Sequence, residues 1–183
     1  MDTFEITLPS SLFPFRLIDV PQFTYGPYRL DNVFRSINAQ QRQACVELWL
    51  RNGAVASPTM AWERSRQVCY LMTENAGNRL VGVNTLYPDR LVADGPRFWF
   101  NRMFIEPQHR SSRLMIVGTA AMLCYARTQL SSEGIPGVLN VNENPKLGRR
   151  GMRRIFSRLG YRCQGEQNGQ DVWYFEFSSI IIR

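Results

Sequence analysis

Histidine is almost absent from this chain, cysteines are never paired in sequence, and long apolar runs are missing altogether. His109 is the only histidine, and it reads as a surface residue in preference to a general base. Cys45, Cys69, Cys124 and Cys163 are widely spaced with no C-x-x-C pair. Neither a disulfide framework nor a zinc site is indicated, no metal is expected, and the four read as reduced packing residues. No stretch approaches the roughly 20 apolar residues that span a bilayer, so membrane insertion is not expected. The start, Met1-Asp2-Thr3-Phe4-Glu5, carries acids where a signal peptide carries bases, which makes a soluble, cytoplasmic protein the expectation.

What the chain has is aromatic and positive character. With 44% hydrophobic and 12% aromatic residues it can bury a core, and 183 residues fit one domain. The net charge of +7 is local: Lys146, Arg149, Arg150, Arg153, Arg154, Arg158 and Arg162 follow one another with no acid among them. This run, 146–162, reads either as a solvated helix face or as a binding surface for phosphates or an acidic macromolecule.

Residues 1–30 read as an arm packed on a domain formed by 31–183. Pro9, Pro14, Pro21 and Pro27 oppose regular structure there, while Phe4, Phe13, Phe15, Phe23 and Tyr25 need surfaces to pack on. A short strand is expected at 32–37. Asn38 can cap a helix over 39–51 ended by Asn52-Gly53, and Ser57-Pro58 can open a second one to about Arg66. Strands at 68–73 and 80–87 flank a turn-rich connection. Residues 98–105 read as a central strand interrupted only by Asn101 and Arg102, which face opposite sides. Glu106-Pro107 ends it, and a helix from Leu114 to about Leu130 follows, with Ser111 or Ser112 as its N-cap. The unpaired amides of that helix start, with Arg110 and Arg113, suit an anion. A strand at 138–143, a basic helix burying Met152, Ile155, Phe156 and Leu159, and a hairpin of 161–164 with 172–177 complete the chain.

This order of elements resembles the GNAT N-acyltransferase superfamily, and so do three motifs. Ile105-Glu106-Pro107-Gln108-His109-Arg110 is similar to the family's V-x-P-x-x-R entry to its acyl-CoA pyrophosphate loop. Gly82 in Leu80-Val81-Gly82-Val83 fits the glycine of its third strand, and Ile155-Phe156-Ser157-Arg158-Leu159-Gly160-Tyr161 resembles its l-Y-x-k-l-G-F ending. The resemblance spans roughly residues 31–177. It implies an α/β (α+β) fold, a mixed, mostly antiparallel central sheet with helices on both faces, and acyl transfer from acetyl-CoA or another acyl-CoA to an amine. It also implies a cofactor site formed by Met103, Phe104, Ile105, Arg110, Ser111, Ser112, Arg113, Leu114 and Asn144.

The chain departs from the family at its working positions. Arg113 and Met115 occupy two glycine slots of the loop, Phe156 the slot of a frequent tyrosine acid, and Trp99 that of a frequent glutamate base. Glu143 is the candidate base, directly or through water. Arg102 is a candidate for holding a carboxylate or phosphate, with a structural salt bridge as the other possibility. Asn101 and Asn142 are candidate acceptor-binding residues, and Tyr125 and Tyr161 read as core. Three functional classes stay open: a CoA-dependent N-acyltransferase acting on a small or peptide amine, a related enzyme using acyl carrier protein or a nucleic-acid-linked amine, and a non-catalytic binding domain. The expected assembly is a monomer or a homodimer.

Overall fold

The computed structural model describes residues 6–7, 16–17, 21–142 and 148–178. Strands β1 (Ile6–Thr7) and β2 (Arg16–Leu17) pair with each other. An eight-stranded sheet contains β3 (Gln22–Tyr25), β4 (Tyr28–Asn32), β5 (Val68–Glu74), β6 (Arg79–Arg90), β7 (Arg97–Ile105), β8 (Gly137–Val141), β9 (Arg162–Gln167) and β10 (Gln170–Glu176). Their order is β3-β4-β5-β6-β7-β8-β10-β9. β7 and β8 run parallel, and the other registered pairs are antiparallel. The helices are α1 (Ala39–Arg51), α2 (Pro58–Ser65), α3 (Leu114–Gln129) and α4 (Arg150–Arg158). Among the described residues no helix is long and apolar enough to cross a membrane.

The chain divides into two compact units, 20–87 with 102–122 and 1–19 with 88–101 and 123–183. In the first, α1 starts where its sequence says it must: Asn38 Oδ1 accepts from the Gln41 amide at 2.9 Å and Gln41 Oε1 accepts from the Asn38 amide at 2.9 Å. That reciprocal cap satisfies two donors of the first turn. Ser57 caps α2, with Pro58 at its first position. Cys45, Leu48, Trp49, Ala61, Val68, Leu71 and Val83 form the core beneath these helices. Gly82 is fixed by close approach: a Cβ there would lie 3.1 Å from Met72 Sδ, Ile105 Cγ1 and the Phe104 carbonyl oxygen. At Gly118 on α3 a Cβ would overlap the terminal methyl of Met72.

The expected strand at 32–37 instead ends at Asn32. Its side-chain oxygen accepts from the Phe34 amide at 3.1 Å, and this side-chain turn competes with continued extension. The segment 22–32, assigned largely to an arm by its prolines, forms the β3–β4 hairpin turned by Gly26 at φ 53.

In the second unit the core is aromatic. Phe156 of α4 stacks on Trp173 of β10 at 5.3 Å and meets Tyr161 edge-on at 5.6 Å, and Tyr161 meets Phe175 at 5.9 Å. The ladder between β7 and β8 is registered at two positions, Trp99 with Val138 and Phe100 with Leu139. Among the described residues β9 pairs only with β10, is exposed along most of its length, and its partner shifts register between Val172 and Trp173.

Candidate functional site

The loop expected to meet an anion, in the first unit, is built on the end of β7. The Glu106 amide donates to the Val81 carbonyl at 2.9 Å, carrying the pairing one residue beyond the strand. Pro107–Ser112 then form a 3₁₀ turn, not the cap of a helix that Ser111 and Ser112 were expected to supply. Arg113 stands between that turn and α3, at φ 61 and ψ 8, in the left-handed region. Its carbonyl accepts from the Ile116 and Val117 amides at 2.9 and 3.2 Å, so Arg113 takes the capping position that launches α3. A side chain in this conformation costs about 1–2 kcal/mol relative to glycine. Leu114, fully buried, anchors the first turn, while Arg110 and Arg113 are exposed. Arg110 Nε donates to the Ile105 carbonyl at 2.8 Å, and its guanidinium lies 5.8 Å from the Phe104 ring centre. Ile105 is buried, and Met103 and Phe104 are half-buried.

Beneath the loop lies a buried carboxylate. The Glu106 side chain is 3% exposed. Its Oε1 accepts from Arg51 Nε at 3.0 Å, Arg51 Nη2 at 2.8 Å and Asn52 Nδ2 at 3.3 Å. Its Oε2 takes Arg79 Nη1 and Gln108 Nε2, each at 2.9 Å. Burial alone would raise this carboxyl, but the hydrogen bonds from Arg51 and Asn52 and the charges of Arg51 and Arg79 outweigh it and hold it below the usual carboxylate range. The end of α1, the start of β6 and the loop are thereby tied to one side chain.

His109 is buried, contrary to the surface position expected of it. Its Nδ1 lies 3.0 Å from the Tyr28 hydroxyl and its Nε2 lies 3.1 Å from Arg79 Nη2. Arginine only donates, so in this contact Nε2 is on the accepting side, while Nδ1 faces the Tyr28 hydroxyl. The sequence hides this arrangement because its partners come from 81 and 30 residues away. Glu106 has a local signal in the sequence, that of a lone acid closing an apolar strand, which marks a buried ion pair and which the loop motif overshadows.

Arg102 is half-buried, with its guanidinium 5.0 Å from the Tyr87 ring centre and its carbonyl accepting from Thr85 Oγ1 at 3.2 Å. Neither a carboxylate nor a phosphate is needed to explain that stacking.

In the second unit, Asn101 and Tyr161 are neighbours and both are buried. Burial pushes the Tyr161 hydroxyl well above its ordinary value, and the adjacent Asn101 side chain acts in the opposite sense. Neither Asn101 Oδ1 nor the Tyr161 hydroxyl has a close hydrogen-bond partner among the described residues. Asn142, 5% exposed, leaves both its side-chain oxygen and nitrogen without a partner there, although its amide donates to the Asp171 carbonyl at 3.0 Å. Each such buried polar atom costs about 1–3 kcal/mol unless a water or ligand meets it. Trp99 and Phe156, which the resemblance sets in the base and acid slots, are buried core residues. Glu143 and Asn144 lie outside the described residues, and the Ser111 and Ser112 side chains are likewise not described. Asn84, to which no sequence motif points, is fully buried on β6 with no partner for its side-chain oxygen or nitrogen among the described residues.

No protein-family model and no curated protein matches the sequence. Solved structures do match in fold. A putative GNAT-family acetyltransferase from Bordetella pertussis superposes with a TM-score of 0.60 at 14% identity, over 84% of this chain and 96% of that one. The ribosomal-protein-S5-alanine acetyltransferase from Vibrio fischeri gives 0.58 at 9% identity, over 86% and 97%. A mutant AtaT toxin bound to the C-terminus of the antitoxin AtaR and acetyl-CoA gives 0.54 at 12% identity, over 82% and 94%. Strand order, the strand-to-helix loop after β7 and these superpositions agree, and the chain has the GNAT acetyltransferase fold.

Proposed function

We propose that this protein is an acyl-CoA-dependent N-acyltransferase that passes an acyl group directly from a CoA thioester, acetyl-CoA first among them, to an amine. The backbone at Arg113 carries the reading. It holds an arginine in the left-handed conformation that glycine adopts most readily, in a slot where the resemblance expects a loop glycine, so a guanidinium stands where a pyrophosphate would lie. Arg110, exposed next to it and braced on the Ile105 carbonyl, supplies a second charge. The backbone of Met103, Phe104 and Ile105 is the part of the chain that would bind the pantetheine arm, a role indifferent to side-chain identity. Leu114 and the Ser111-Ser112 amides complete the pyrophosphate contacts, with Asn144 as a further cofactor ligand.

A bound acyl-CoA supplies an activated thioester. The chain's own residues then have three roles. Arg102 orients an anionic group of the acceptor, and Asn101 and Asn142 hold its polar atoms, through an Asn101 oxygen and an Asn142 amide that have no partner among the described residues. Glu143 takes the proton lost by the amine nitrogen as the new C–N bond forms. The C–S bond breaks, and because Phe156 cannot donate a proton, the thiolate is released as an anion or protonated by water. Chemistry of this kind gains mainly from positioning.

Isothermal titration calorimetry with CoA and acetyl-CoA tests the reading. Binding of both is expected, with a thermal midpoint that rises with ligand as RT ln(1 + [L]/Kd). No heat and no shift at saturating concentrations reject it. A second reading, a non-catalytic ligand-binding domain, is favoured by the buried Trp99 and Phe156 in the base and acid slots. CoA binding without thiol release in the presence of a panel of amines and peptides selects that alternative.

A further inference from the structure

The exposed side of α4 carries charge that the acyl-transfer reading does not use. An open groove there is lined by Gly148, Arg150, Arg153, Arg154, Ser157 and Arg158. Arg153 serves the fold, since its Nη2 pairs with Asp171 Oδ1 at 2.7 Å and its Nε donates to the Gly148 carbonyl at 3.0 Å. Arg162, farther on, lies 4.0 Å from Glu176. Arg149, Arg150, Arg154 and Arg158 are all exposed, and among the described residues no carboxylate pairs with them. Like charges packed this closely repel, so their concentration on one short helix calls for a counter-charge.

The form of the groove specifies that counter-charge. Arg150, Arg154 and Arg158 recur every four residues, which places them in one row on the helix at steps of about 6 Å, with Arg153 and Ser157 in the adjacent row. An evenly spaced row of cations matches a ligand with evenly spaced anions. Every cation lining the groove is an arginine, whose fork grips phosphate oxygens in pairs. Among the described residues the lining contains no apolar side chain, and the exposed large hydrophobic residues, Leu50, Met60, Trp62 and Val92, lie elsewhere in the sequence. A protein partner is held chiefly by buried apolar and aromatic anchors, whereas a phosphate backbone needs none.

We propose that the α4 groove docks the phosphodiester backbone of a nucleic acid. The surface is separate in sequence from the loop at 107–113, so it stands whether or not the acyl-CoA reading does. Fluorescence anisotropy with a labelled oligouridylate tests it on the full chain. Binding is expected at low salt, with Arg149, Arg150, Arg154 and Arg158 giving a slope of log K against log salt near −3, an affinity loss of about fiftyfold between 50 and 200 mM salt. The pair Arg150→Glu and Arg154→Glu is expected to lower affinity at least tenfold, and the milder pair Arg150→Gln and Arg154→Gln to lower it less and flatten the salt slope. Calorimetry with CoA on the same variants is expected to give wild-type affinity, which keeps a failure here distinct from a failure of the acyl-CoA reading. Absence of oligouridylate and duplex DNA binding at low salt overturns the proposal. So does binding that both variant pairs retain, or capture of purified acyl carrier protein in place of the oligonucleotides.

Discussion

Glu106 receives both the Nε and an Nη nitrogen of Arg51 on a single carboxylate oxygen, at 3.0 and 2.8 Å, beneath the loop that leads into α3. This contact ties the last residue of α1 to the turn after β7, two segments 55 residues apart. Replacing Glu106 by Gln keeps the shape and removes the charge. Because Arg51 and Arg79 are nearly half exposed and can be resolvated, the expected loss is about 1–3 kcal/mol rather than that of a wholly buried ion pair. Urea unfolding of wild type and E106Q measures it.

The same carboxylate gives a pH signature. Its folded-state pKa lies below the unfolded value of about 4.3, so its stabilising contribution is full above that value and is lost as pH falls through the lower, folded one. Wild type is expected to lose stability on acidification below about pH 5 more steeply than E106Q. Equal slopes for the two proteins in that window would show that the Arg51 and Arg79 contacts do not favour the ionised form.

Arg113→Gly separates backbone from side chain. Relief of the left-handed strain offsets glycine's extra unfolded-state freedom, so stability is expected to hold or to rise by up to about 1 kcal/mol. CoA affinity is expected to fall about tenfold or more, the equivalent of losing one charge-assisted phosphate contact. Tighter CoA binding by the glycine variant would mean that the guanidinium obstructs the loop.

Gly82→Ala places a methyl 3.1 Å from the Phe104 carbonyl oxygen, a backbone atom that cannot swing aside. A loss of about 1–3 kcal/mol is expected from such overpacking. A thermal midpoint within error of wild type would show that β6 and β7 can part there without cost.

Thiol labelling reports the packing of the cysteines. Burial pushes the Cys45 thiol up to about 12 and that of Cys69 higher still, while Cys163 is exposed on β9. In the native protein, one rapidly reacting thiol is expected, lost in Cys163→Ser, with all four reacting after denaturation.

The local signals in this sequence are strong wherever a side chain speaks to its own neighbourhood. Asn38 with Gln41 marks the start of α1, Ser57-Pro58 that of α2, and the apolar run at 98–105 the central strand, each within a residue or two. What stays hidden depends on distant partners or on backbone angles. Nothing local says that His109 will be enclosed by Tyr28 and Arg79, or that an arginine will adopt φ 61. Asn32 reverses the strand expectation because its side chain bonds the backbone two residues on, a competition that propensity does not register. At the candidate site, the loop is legible through its resemblance and its charges, while the arginines that meet its buried carboxylate, Arg51 and Arg79, are not.

The two outer strands of the eight-stranded sheet bear on how the protein behaves when concentrated. β3 is only four residues long, and β9 carries Arg162 and Glu166 along an exposed rim. The neighbour of β9 is bulged at Val172, and β9 itself bends at Gly165, at φ 109. A second molecule adding a strand to either rim would find a short ladder on one side and a kinked, charged one on the other, so self-association by strand addition is disfavoured at both ends.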